Sequence, residues 1–129
     1  RVASRGGARG LEIANSLDML PLYHPDWNPL WVAANAAHHG HWNLAPRAHP
    51  GDGLLDVLDG RLRGAAYLAA WRRLQRGDHV PHPSIDYRRV PAVQTSFDRP
   101  LTVRLDGEVV GRARDLSVRV EPAALHLAV

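Results

Sequence analysis

The chain has 129 residues, no cysteine and a formal net charge of +3, with 16 arginines, no lysine and 13 acidic residues. That length fits one domain with a core of its own. The lack of cysteine excludes a disulfide framework and fits a reducing, cytoplasmic compartment. No apolar run approaches the length of a membrane-spanning helix.

Residues 1–10, RVASRGGARG, read as a flexible lead-in, and residues 11–129 as a single β-rich domain. Position 1 is Arg rather than Met, as expected of a fragment, a processed product or a chain with further sequence upstream. The basic, glycine-rich start has no apolar stretch of a secretory signal and fits no phosphate-loop pattern. Residues 11–14 and 17–23 read as strands, the second weakened by Pro21. Residues 24–29 form a turn-rich loop around Pro25 and Pro29. Residues 30–35 and 53–58 are apolar runs of buried-strand type.

A helix is expected over about residues 61–76, because Tyr67, Ala70, Trp71 and Leu74 recur at the spacing of a buried face. Arg72, Arg73 and Arg76 cluster in its last turn, opposite the negative end of the helix dipole. Gly77 is placed to cap it. In the last third, residues 101–105, 116–120 and 125–127 alternate apolar and polar side chains, which gives each strand one buried face. Asp106-Gly107 between such runs is a two-residue hairpin turn, since a type I′ turn needs positive φ at both positions. Together these elements predict a mainly β fold, an antiparallel β-sandwich of two layers with one packed α-helix.

His38, His39 and His41, with His49 close in sequence, have spacing that can bind Zn²⁺ or Ni²⁺. In a strand His39 and His41 share a face and His38 points away, so two ligands at most come from this run. Exposed or hydrogen-bonded loop histidines are the plainer reading. Arg72, Arg73, Arg76, Arg88 and Arg89 are candidate contacts for lipid headgroups or a membrane surface. Nucleic acid is not an expected partner, because the four tryptophans do not interleave with a basic stripe. Trp31 and Trp71 fit core packing better.

Three segments stand out in order. The first runs from Asn35 through Gly40 and Pro46 to Asp52-Gly53-Leu54-Leu55-Asp56-Val57, the second is the helix ending in Arg76-Gly77-Asp78-His79, and the third is the Asp106-Gly107-Glu108 hairpin followed by residues 118–127. In this order they resemble the C-terminal domain of the bacterial diacylglycerol kinase-like family, relatives of the sphingosine and ceramide kinases. Only Gly40 remains of the triple glycine usual in the family. The resemblance covers about residues 30–129.

It implies a kinase of two domains, in which an N-terminal domain with a G-G-D-G-T signature holds ATP and a C-terminal β-sandwich serves the lipid. This sequence contains no G-G-D-G-T. Carried over, the resemblance makes Glu108 the base that accepts the proton of the attacking lipid hydroxyl. Asp106, Gly107, Asn35 and Gly40 then line the cleft. A structural Mg²⁺ would take the Asp52 side chain and the main-chain carbonyls of His49 and Leu54. Read without the resemblance, Glu108 is a solvated residue beside a turn and Asp52 belongs to a plain glycine-bearing turn. Asp56 reads as a strand or turn residue rather than a ligand.

The expected function is therefore the lipid-substrate domain of an ATP-dependent kinase acting on a lipid hydroxyl such as that of diacylglycerol. The expected partners are that lipid, an N-terminal nucleotide-binding domain and peripheral contact with a membrane. A homodimer is compatible with the sequence, which does not fix the oligomeric state. Two alternatives stay open: a non-catalytic module that binds lipid or a protein partner, which the missing glycines favour, and a histidine-based metal-binding protein.

Overall fold

The computed structural model describes residues 11–13, 30–39, 42–62, 64–105 and 108–121. The expected lead-in over residues 1–10, the strands at 17–23 and 125–127, the loop at 24–29 and the turn residues Asp106 and Gly107 lie outside the described residues.

Six strands form one antiparallel sheet: β1 (Leu11–Ile13), β2 (Leu30–Ala34), β5 (Leu55–Gly60), β6 (Ile85–Val90), β7 (Ala92–Leu105) and β8 (Glu108–Arg119). Their order is β6-β5-β2-β1-β7-β8. Two short strands, β3 (His38–His39) and β4 (Trp42–Asn43), pair separately. The helix α1 covers Gly64–Arg73 and tightens into a 3-10 turn over Leu74–Arg76. Thus α1 starts three residues later than the sequence pattern suggests, but it ends as expected on Gly77.

Why the sheet becomes layered follows from β7 and β8. They are 14 and 12 residues long, more than twice the common strand length. Their register jumps between Ser96 and Leu101: Ser96 pairs with Asp115, whereas Leu101 pairs with Ala113. Extra residues on β7 at that point bend the hairpin. Beyond the bend, residues 101–105 extend the sheet beside β1. Before it, Val93 and Phe97 with Leu116 and Val118 fold over Trp31, Ala33, Leu55 and Val57. Trp31 is fully buried and meets Phe97 edge-on, ring centroids 6.3 Å apart. This is the core of the sandwich.

The other face of β2 and β5 is buried as well. Val32, Ala34 and Leu58 pack with Ala45, and Ala48, Val80, Ile85 and Tyr87 complete that cluster. Residues with the same parity on neighbouring strands share this face, so Asp56, Leu58, Ile85, Tyr87 and Arg89 line it together. The α1 segment is attached on this side through Trp71, whose ring lies 5.1 Å from that of Trp42, and through His79, whose Nε2 donates to the Leu44 carbonyl at 3.0 Å. Ala70 and Leu74 are buried, Tyr67 and Trp71 half-buried, and Arg72, Arg73 and Arg76 exposed, in accord with the expected helix face. Among the described residues no helix is long and apolar enough to cross a membrane.

Candidate functional site

Strand register brings the scattered sequence motifs to one end of the sheet. Val57 on β5 pairs with Ala33 on β2, Ala33 with Leu11 on β1, Leu11 with Leu105 on β7, and Leu105 with Glu108 on β8. Asp56 sits one position nearer the end of the sheet than Val57. The Asp52 loop leads into β5 there, Asn35 leaves β2 there, and Glu108 opens β8 there. Asp56 and Glu108 are four strand spacings apart, roughly 19 Å along the sheet. The motifs therefore share an edge without touching.

At the β8 end, Glu108 is exposed. It follows Leu105 across a two-residue connection, and the two pair directly. Strands β7 and β8 therefore pair as far as these two residues, and the turn expected at Asp106-Gly107 lies outside the described residues. Val109 and Val110 come next and keep 58% and 49% of their surface exposed. Arg104 pairs with Val109 and Val103 with Gly111, which leaves Val110 as the extra residue of a β-bulge. An acidic side chain is thus followed immediately by uncovered apolar surface on an edge strand.

At the β5 end, four side chains that sequence reading did not connect form one polar network. Asp56 is fully buried. Its Oδ1 accepts a 2.7 Å hydrogen bond from the Tyr87 hydroxyl and lies 3.5 Å from Arg89 Nε. The Arg89 Nη2 donates to Asp52 Oδ2. Asp52 Oδ1 accepts the Leu54 backbone N–H at 2.9 Å, and the Asp52 N–H donates to the His49 carbonyl at 3.3 Å. Gly53 supplies the positive φ, 71°, that this turn requires. The Tyr87 hydroxyl also accepts the Arg47 backbone N–H at 3.1 Å, with the Arg47 guanidinium 5.7 Å from the Tyr87 ring centroid. Burial first, and then the bond to Asp56, push the Tyr87 hydroxyl far above its ordinary value of 10.0.

Asp56 is the residue whose place in the network sequence reading missed. It is a strand residue, as expected, yet it is the buried centre of the network. The available signal was its register: Asp56 lies directly opposite Arg89, and both sit in strands whose other side chains at these parities are apolar or aromatic.

Of the remaining expected site residues, Asn35 is half-buried, with its Oδ1 buried and without a hydrogen-bond partner. Gly40, Asp106, Gly107 and His41 lie outside the described residues. His38 is exposed on β3, and among the described residues no three His, Cys, Asp or Glu side chains gather to hold a metal ion.

The described residues thus form an antiparallel sandwich with one attached helix and an exposed carboxylate, Glu108, at the start of β8. Residues 26–129 match the family described as the YegS C-terminal NAD kinase beta sandwich-like domain, and the chain belongs to that family. A search of curated proteins finds no match.

Proposed function

We propose that this chain is the lipid-side domain of an ATP-dependent kinase that phosphorylates a lipid hydroxyl, diacylglycerol being the type of substrate. The observation that supports it best is the rim of β8, where the exposed Glu108 carboxylate is joined to the exposed Val109 and Val110. A lipid alcohol has a matching arrangement, a polar hydroxyl beside apolar chain. Glu108 accepts the hydroxyl proton as the lipid oxygen bonds to the γ-phosphorus of ATP, the bond from that phosphorus to the β,γ-bridging oxygen breaks, and ADP leaves. ATP is held by a nucleotide-binding domain carrying the G-G-D-G-T signature.

The test is phosphate transfer to diacylglycerol in mixed micelles, with that nucleotide-binding domain present. Glu108→Gln removes the base without changing shape, and turnover should fall by about 100-fold or more. Val109→Ser with Val110→Ser should raise KM for the lipid and leave kcat near that of the parent, since these side chains bind rather than react. Undiminished turnover in Glu108→Gln sinks the assigned role. Lipid binding without any turnover in the parent protein would favour the non-catalytic lipid-binding module instead.

A further inference from the structure

The loop that the family resemblance gives to a structural Mg²⁺ is already met by a cation, the Arg89 guanidinium reaching it from β6. A hard divalent ion requires several oxygen donors with free lone pairs directed at one point. Here Asp52 Oδ1 and the His49 carbonyl each accept a single backbone N–H, from Leu54 and Asp52, and keep a second lone pair, whereas Asp52 Oδ2 is engaged by the charged guanidinium of Arg89. A doubly charged ion bound to that carboxylate at about 2.1 Å would share it with a guanidinium, and the two like charges would meet at close range. The residues present therefore do not fit a resident Mg²⁺ while Arg89 is in place.

The fork of Arg89 also does what a shared metal would do. It joins Asp52, in the loop, to Asp56, in the buried strand behind it. A planar guanidinium with five donors can bridge two carboxylates in this way, and a compact ammonium cannot do so with the same geometry. Arg89 itself is fixed by pairing with Asp56 in the β5–β6 ladder. Behind it, Asp56 Oδ2 is buried with no hydrogen-bond partner. Deleting the Arg89 side chain would thus leave two carboxylates facing a site from which a positive charge has gone.

We propose that Arg89 is the built-in cation of the Asp52 loop, standing in for Mg²⁺, so that the loop keeps its structure without metal. The proposal concerns how the domain is held and is independent of the phosphotransfer reading, because it is tested on stability alone.

The experiment is thermal unfolding of the full chain in EDTA and in about 5 mM Mg²⁺ or Ca²⁺. The parent protein should show the same Tm in all three, within about 1 °C. Arg89→Ala should have a lower Tm in EDTA and regain about 4 °C or more with either ion, as expected for ligand binding to the folded state only. Arg89→Lys, which keeps the charge, should remain unresponsive to both ions. A rise of that size in the parent on adding Mg²⁺ overturns the proposal, whether or not Arg89→Ala folds. So does a folded Arg89→Ala that responds to neither ion.

Discussion

His79 shows how one side chain ties a stability profile to pH. It is 5% exposed, and its Nε2–H donates to the Leu44 carbonyl, so the proton of the neutral ring is on Nε2. Nδ1 is buried with no partner, which suits a bare nitrogen and would leave a second N–H unsatisfied. Burial accordingly lowers the pKa of His79 below its ordinary 6.5, outweighing the Leu44 bond and the charge of Asp78, which both raise it. Between the two values the unfolded chain binds the proton and the folded chain does not. Stability from this residue is therefore complete above pH 6.5 and declines as pH falls from 6.5 towards the depressed folded value. Urea titrations over that range should show the decline, and His79→Gln, which can still donate to Leu44, should flatten it. A variant with the same slope as the parent would show that other groups set the profile. His79 stood in the sequence as part of an R-G-x-H turn. Its role could not be read there, because the carbonyl it serves lies 35 residues away.

Elements defined by local pattern were the most legible. Helix α1 needed only its apolar spacing and the glycine behind it. Gly77 has φ 74°, and its N–H returns to the Leu74 carbonyl. An added Cβ there would lie 2.7 Å from Asn43 Nδ2 and 3.2 Å from Pro46 Cβ. Gly77→Ala thus combines left-handed strain with a clash against the β4 segment, and should cost roughly 2–3 kcal/mol in chemical denaturation. A loss below about 1 kcal/mol would mean that the segment moves aside with ease. The strands were harder. The pattern found residues 101–105 and 116–120 but not that they belong to strands more than twice as long, because the bend between Ser96 and Leu101 interrupts the alternation. Strand β6 was overlooked for a different reason: Asp86, Arg88 and Arg89 give it a polar composition. One of those charges, on Arg89, is turned towards the buried Asp56.

For the molecule as a whole, the sandwich depends on one hairpin contributing to both layers. Phe97, at the bend, is 8% exposed and packs on Trp31. Phe97→Ala should cost about 3–5 kcal/mol by loss of burial and creation of a cavity. Phe97→Leu, which keeps most of the volume, should cost about 1 kcal/mol. Equal losses in the two variants would show that the ring's volume does not hold the layers together. The two-layer architecture was legible because so many segments alternate in polarity. The candidate site was legible only as separate motifs. Asp52 and Glu108 could each be picked out by their neighbours in sequence, but their common edge is a product of strand order.

Strand β1 joins the earliest described residues to some of the last. Its neighbours are β2 on one side and β7 on the other, so Leu11 pairs with both Ala33 and Leu105. Such distant pairing gives the chain a high contact order and a slow search for its native topology. During synthesis, β1 can find β2 early but must wait for residues 103–105 before its second edge is covered. Until then that edge offers unpaired backbone groups to any passing strand. The growing polypeptide therefore carries an uncovered β1 edge in the interval between making β2 and completing β7, and a chaperone that shields strand edges would act on it there.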